Sequence, residues 1–179
     1  MSTTNIISDK AIIGKNFKIG NFCIIEEDVL IKDNVTIGNY CHLKSGVTIG
    51  DDTVMMNYVE LRANTVIGKK CYVDSKVSSS GNVIVGDNVT LRYDTILARG
   101  VVVGDNTYIC PRVMTNNLNS EQSQIGGAKI GKNCFIGTNA VLQYGITLGD
   151  DVIIGAMSFV NKNCESGKTY VGIPSKLKA

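Results

Sequence analysis

No tryptophan occurs in the 179 residues, phenylalanine occurs four times and histidine once. Each shortage removes an option. Large aromatics are too few to fill a conventional globular core, whereas nineteen glycines suit many short strands and tight turns around medium-sized aliphatics. A single histidine, His42, cannot furnish a three-histidine zinc site from one subunit, so no metal is expected. No apolar run approaches the roughly eighteen residues of a membrane span. The opening MSTTNIISDK is mostly polar, so no signal peptide is expected and the reading is a soluble, cytoplasmic protein. Eighteen basic side chains against sixteen acidic ones give no reason to expect nucleic acid or an anionic membrane as partner. The length allows one domain with a substantial core.

What the chain does have is rhythm. From Ile7 an aliphatic residue recurs every sixth position: Ile7, Ile13, Ile19, Ile25, Ile31, Ile37, Leu43 and onward to Ile109, then again from Ile130 to Val160. Of these twenty-four positions only Ser79 is not apolar. Four residues after each comes a second column of small or β-branched residues, Ala11, Cys23, Val29, Val35, Cys41, Val47 and so on to Val113, with Phe17 the one bulky exception. Positions i and i+4 face the same side of an extended segment, and Gly, Asp, Asn and Lys between them are mostly turn formers. An apolar period of six builds no stripe on a helix.

Six residues therefore make one short strand plus one corner, and such a unit cannot bury its own apolar face without stacking on others. Three corners close a triangle, so eighteen residues form one coil. Glycine follows one aliphatic in three at Gly14, Gly50, Gly68, Gly86, Gly104, Gly131 and Gly149, with Lys32 the exception. The expectation is an all-β, parallel β-helix of about eight triangular coils, roughly 38 Å long at the parallel-strand spacing. It divides into N-terminal coils over 1–115, a loop over 116–129 extruded near 116–127, C-terminal coils over 130–165 and a tail over 166–179.

The pattern resembles the hexapeptide-repeat acyltransferases, and the resemblance covers nearly the whole chain. The closing IGTNAVLQYGITLGDDVIIGAMSFVNKNCESGKTYVGIPSK looks like that family's last coils and tail, although Ile173 stands where asparagine is common. The resemblance implies a left-handed winding, acetyl-CoA as co-substrate and a homotrimer. Spacing alone does not fix the hand, and parallel crossovers are usually right-handed.

Five of the six cysteines, Cys23, Cys41, Cys71, Cys134 and Cys164, occupy the small column and read as buried apolar fillers. No CxxC occurs, and Cys110, in a corner, is the one thiol expected to be exposed. His42 is a candidate general base, but it lies about four coils, roughly 19 Å, below the place where the rhythm fails.

That failure follows Val103–Asn117, VGDNTYICPRVMTNN. After Ile109 the beat calls for an aliphatic at 115 and finds Thr115; the next slot falls at Glu121, and the beat returns only at Ile130, nine residues late. An insertion of this size must leave the prism as a loop, either a plain surface excursion or, as in the resembling family, a flap over a neighbouring subunit that helps close the active-site cleft. CPRVMTNN resembles the GPxxVFTN-type segment of N-acetyltransferases acting on nucleotide-linked amino sugars. With one residue deleted, Thr115 and Asn116 match its Thr-Asn pair; aligned without a gap, Pro111 and Asn117 match instead. In part of that subgroup no histidine base is present and an asparagine contacts the sugar amine. Cys110 departs from the usual glycine and the loop is shorter. An asparagine can orient an amine but cannot take its proton, which could leave through water, the departing thiolate or a nearby carboxylate such as Asp94.

The eighteen-residue step places Arg99 one coil below Asn117, Ser80 two coils below Asn116, Arg112 above Asp94 and Arg92 above Asp74. Stacked Arg–Asp pairs serve as structural ladders or as fixed guanidinium groups for a diphosphate, and both readings stand at this point. The lapse at Ser79 is either a bulge toward substrate or a thin spot in the core. For the coenzyme the resemblance points to the last coils, with Gly137, Gly155 and Ala156 lying under the pantetheine arm and Lys162, Lys168 and Lys176 meeting phosphates.

The expected function is transfer of an acetyl group from acetyl-CoA to the amine of a nucleotide-linked amino deoxysugar. The alternative is an O-acetyltransferase or amino-acid N-acyltransferase with His42 as base, since a hydroxyl needs a base more than an amine does. A non-enzymatic surface-binding scaffold would show one residue type along an exposed column, and the outward positions here are mixed.

Overall fold

The computed structural model describes residues 4–123 and 126–178, so Gln124 and Ile125 of the expected loop lie outside the described residues. The described chain is built of twenty-seven strands, all but one of two residues, without a helix. They form three sheets of nine, eight and ten strands, parallel throughout except for the last pair of the ten-stranded one. Face A runs from Ile6–Ile7 to Phe159–Val160, face B from Ile12–Ile13 to Thr147–Leu148, and face C from Lys18–Ile19 to Ile153–Ile154 and then into the tail. Successive strands in one face are eighteen residues apart, as in Ile6↔Ile24 and Ile24↔His42.

Both expected columns point inward. From Ile25 to Val160 every residue of the beat is buried, and so is the second column from Cys23 to Cys164. Each fully buried aliphatic contributes about 1.5–3 kcal/mol relative to exposure. Only the first coil is open: Ile7 and Ile13 are 40% and 37% exposed. The strands number more than eight coils supply because Thr115 keeps its strand despite breaking the beat, and because Thr169–Val171 and Lys176–Leu177 add a closing hairpin to face C.

The corners obey one backbone rule. Three residues after each inward aliphatic the chain turns with φ near +58°, at Asn16, Asp28, Asn34, Asp52, Asn64, Asn88 and their equivalents. Asn and Asp tolerate this left-handed region best, which explains the turn formers seen in sequence. Their side chains then stack between coils: Asn16 Nδ2 donates to Asn34 Oδ1 at 2.9 Å, and Asn34 Nδ2 to Asp52 Oδ1 at 2.9 Å.

Cysteine and threonine share the small column for a common reason. Cys41 Sγ donates to Met56 O at 3.0 Å and Cys71 Sγ to Gly86 O at 3.1 Å, just as Thr53 Oγ1 donates to Gly68 O at 2.9 Å. Each satisfies a corner carbonyl fifteen residues on. Burial pushes the thiols up, Cys41 to about 12 and Cys164 to about 11, so these are fillers and not thiolates.

The glycine column marks where coils touch backbone to backbone on face B. A Cβ built on Gly104 would lie 2.6 Å from the carbonyl carbon of Gly131, and neither backbone can yield without breaking the ladder. Gly104→Ala is expected to lower stability by about 1–3 kcal/mol through overpacking, read as a fall in the denaturant midpoint. A variant as stable as the parent would show that the coils are not in contact there.

Candidate functional site

The insertion leaves the prism at the corner between faces A and B. In regular coils a backbone N–H bonds to the carbonyl seventeen residues on, as Ile6 to Cys23 O. Past the junction the step is twenty-six, as Val102 N to Ala128 O at 3.1 Å, longer by the nine inserted residues. Ala128 takes the second-column position and is fully buried, so the helix resumes without loss of register. Outside the prism, Asn119 Oδ1 accepts from the N–H groups of Glu121 and Ser123, and Gly126 N–H bonds to Asn117 O at 3.4 Å across the base of the loop.

Asn116 and Asn117 are half-buried at the mouth of this loop. The Asn116 N–H is tied to Leu142 O at 3.0 Å, which fixes the backbone from which the amide projects. Arg99 is exposed, and the register places it one coil below Asn117; half-buried Ser80 lies two coils below Asn116.

Thr115 is different. It is 3% exposed, its Oγ1 accepts from Ala98 N–H at 2.7 Å and donates to Ile96 O at 3.2 Å. The expectation of a substrate contact is corrected: the side chain continues the inward column and its hydroxyl replaces a ladder carbonyl. Ser79 does the same two coils below, accepting from Arg62 N–H at 3.1 Å and lying 2.7 Å from Thr65 Oγ1. Its strand stays paired with Glu60–Leu61, so it is neither a bulge nor a gap.

Arg92, Asp94 and Arg112 require a second correction. They stand at the height of the junction, as expected, but at the corner between faces C and A. The strand from Arg112 to Asn116 crosses the width of face A, roughly 13 Å of extended chain. An eighteen-residue step fixes height and says nothing about which edge of the triangle faces which. The stacking itself is as read: Arg92 Nε meets Asp74 Oδ2 at 3.1 Å, and Arg112 Nε meets Asp94 Oδ2 at 3.9 Å. Arg92 Nη1 also donates to Tyr108 Oη at 2.6 Å, and the Tyr108 ring stacks on Phe135. Composition flags neither aromatic; only the step of twenty-seven across the insertion aligns Tyr108 with Phe135.

Cys110 is 8% exposed, and burial pushes its thiol up, so it is not the exposed thiol anticipated. Gly137 and Gly155 follow it in the same column and have structural reasons to be glycine. A Cβ on Gly137 would lie 2.7 Å from Gly155 C, and one on Gly155 would lie 2.7 Å from Val171 Cγ1 in the tail. Ala156 is exposed beside them. Lys162, Lys168 and Lys176 are all exposed; Lys162 lies at the A–B corner, whereas Lys168 and Lys176 lie on the tail side at face C.

His42 faces outward on face A, four strand pairings below Met114. Its Nε2 lies 2.7 Å from Glu26 Oε1, and Ser45 N–H donates to Glu26 Oε2 at 3.0 Å. The hydrogen bond with His42 holds the Glu26 carboxyl below its usual range. Next to Glu26 opens a hollow of about 390 Å³ walled by Ile6, Ile24 and Ser45, well away from the junction. Among the described residues no group of His, Cys, Asp and Glu is arranged to hold a metal, and no helix is long and apolar enough to cross a membrane.

The family model described as the GMPPB C-terminal domain matches residues 7–117, more than half of the chain, and that described as bacterial transferase hexapeptide (six repeats) matches residues 127–162. The two matches meet at the extruded loop. The chain belongs to the family described as the GMPPB C-terminal domain, and its repeats are those of the hexapeptide-repeat, left-handed β-helix acyltransferases. No curated protein matches the sequence. Among solved structures, LpxA from Acinetobacter baumannii superposes with a TM-score of 0.77 at 18% identity, over 98% of this chain and 72% of that one. The UDP-N-acetylglucosamine acyltransferase of Arabidopsis gives 0.59 at 18% identity, over 99% and 73%. These likenesses show the fold, including its left-handed winding. A maltose O-acetyltransferase from Clostridium difficile 630 gives 0.52 at 29% identity, over 60% of this chain and 65% of that one.

Replacing Thr115 by Val keeps its shape but strands the Ala98 N–H. A loss of about 1–3 kcal/mol is expected in equilibrium unfolding. An unchanged midpoint would mean that the hydroxyl is not part of the ladder.

Proposed function

We propose that the chain is a cytoplasmic, CoA-dependent N-acetyltransferase that acetylates the amine of a nucleotide-linked amino deoxysugar, working as a homotrimer. The observation that carries this reading is the placement of Asn116 and Asn117, half-buried on a fixed backbone at the mouth of the one insertion.

The split of the charged groups between two corners supports a shared cleft. In a cyclic assembly whose axis runs along the coils, unlike edges of neighbouring copies meet at equal height. The A–B corner of one copy, with Asn116, Asn117 and Arg99, then faces the C–A corner of the next, with Asp94, Arg92 and Arg112. Neither corner holds both sets. In this cleft the neutral amine, oriented by an asparagine carbonyl, attacks the thioester carbon of acetyl-CoA. The C–N bond forms as the tetrahedral intermediate collects charge on oxygen, which backbone N–H groups stabilise. The C–S bond then breaks, and the amine proton passes to Asp94 of the neighbour, to water or to the thiolate. Holding both substrates together supplies much of the acceleration.

A second reading has its own observation. His42 and Glu26 form a 2.7 Å pair beside a hollow, as a base and its orienting carboxylate would for O-acetylation, and 29% identity to a maltose O-acetyltransferase over part of the chain favours it.

Thiol release from acetyl-CoA, measured against a panel of nucleotide-linked 3-amino and 4-amino deoxysugars and simple sugars, separates the two. Asn116→Ala is expected to lower kcat/KM about 100-fold on the amino sugar, while His42→Ala retains most activity. The reverse pattern, with maltose-type acceptors preferred, would establish the O-acetyl reading instead.

A further inference from the structure

Of the seven ion pairs among the described residues, Asp74–Arg92 includes the most sheltered side chain, Asp74 at 16% exposed. Its members are themselves held. Asp74 Oδ1 accepts from Ser75 N–H at 2.7 Å, leaving Oδ2 for Arg92. Tyr108, which takes one Nη1 proton, is flanked by Phe135 with centroids 5.8 Å apart and planes 11° from parallel. A guanidinium carries five N–H donors, and two are spent here, so three remain on a group that is 40% exposed. The next two residues up its column, Cys110 and Gly137, are small, and the one recorded contact from the coil above is the Tyr108 hydroxyl itself. One coil higher at the same corner stands Arg112, more than half exposed and only loosely tied to Asp94 at 3.9 Å. A fixed, planar cation with three free donors, a second cation one coil away and an aromatic pair alongside form a recognisable chemistry. It is that of a phosphate-bearing ligand with a planar ring.

We propose that Arg92, pinned between Asp74 and Tyr108, anchors the diphosphate of a nucleoside diphosphate, and that Tyr108 and Asp74 are its positioning residues. The inference rests on the acetyl-transfer reading for its setting, and it assigns the diphosphate to the C–A corner, opposite the asparagines. Both substrates of that reaction carry such a group, the nucleotide-linked sugar and the coenzyme. A ladder pair needs only to cancel charge; here a phenol is added that cancels none and fixes the plane of the fork, so that less rotamer freedom is lost when the anion arrives.

The test is binding of UDP, dTDP, GDP and CoA to the full chain by calorimetry, with Lys70→Gln as a control at another corner. At least one ligand is expected to bind. Tyr108→Phe, which keeps the ring stack and loses one hydrogen bond, should weaken it about 5–10-fold. Arg92→Lys should weaken it by about 30-fold or more. Lys70→Gln should bind as the parent does, and thermal melts of all variants should match. Loss confined to CoA places the coenzyme's diphosphate at Arg92, and loss confined to the nucleoside diphosphates places that of the acceptor sugar there. In turnover, Tyr108→Phe should raise KM for that substrate and leave kcat within about twofold, a split that a purely structural residue would not give. The proposal is overturned if none of the four ligands binds, or if Tyr108→Phe and Arg92→Lys both bind like the parent. If the variants weaken binding while no amino sugar in the panel is acetylated, the anion site stands and the acceptor assignment alone falls.

Discussion

The molecule depends on one repeated contact, the backbone hydrogen bond to the carbonyl seventeen places on from the first residue of a strand and from the residue that follows it. Two-residue strands are far too short to be stable singly, so each coil exists only because its neighbours complete its ladder. Equal positions in successive coils are thereby forced into vertical register, and every inward column shares one character. Inward columns are aliphatic or small; left-handed positions at two corners take mostly Asn, Asp or Gly, while the C–A corner carries Phe22, Tyr40, Tyr58, Lys76, Asp94 and Arg112; the column where backbones touch takes glycine. The same constraint decides where the chain is free to vary. An insertion inside a strand would shift every later residue out of its column, whereas nine residues added at a corner change the step from seventeen to twenty-six and nothing else.

Much of this was legible in sequence because a column is a periodic statement. The six-residue beat, the eighteen-residue glycines, the buried cysteines and the size and place of the insertion all follow from spacing. What spacing did not give was arrangement around the triangle. Arg92, Asp94 and Arg112 share the height of Asn116, and height is what an eighteen-residue step measures, yet they stand across face A from it. Thr115 illustrates a second limit. A polar residue on an aliphatic beat reads as a fault, and the hydroxyl turns out to stand in for the carbonyl that would receive the Ala98 N–H. Ser79 and Arg62 make the same exchange. Gly137 and Gly155 show a third: a glycine that admits a ligand and a glycine that admits the next coil have the same one-letter signature, and only the neighbouring backbone separates them.

With the interior sealed, chemistry is confined to the outward positions and the corners. That confinement explains the division of polar groups into edges, each carrying a few side chains at one height. A single prism presents its edges away from one another, so the two charged edges at the height of the junction do not face each other within one chain. In the proposed trimer, cyclic association would bring unlike edges together at matched height without any change in the coil, with the loop rooted at one of those edges. The fold therefore supplies precise vertical placement, and on the proposed reading assembly supplies the concavity at the junction.

Where the reacting groups meet, the character of the acceptor follows from what each edge can offer. The lone imidazole is four coils below the asparagines and already paired with Glu26, so it cannot reach a proton at the junction. An alcohol placed there would have no strong base beside it in its own chain, and its attack on a thioester would be slow. An unprotonated amine is nucleophilic without help and loses its proton only after the carbon–nitrogen bond has begun to form, when that proton has become acidic. An amide side chain that holds the lone pair on line, together with a carboxylate from the facing edge, is sufficient for that sequence of events. Asn116 and Asp94 meet this requirement only when they belong to different copies, and on that reading the catalytic unit is the junction between two prisms.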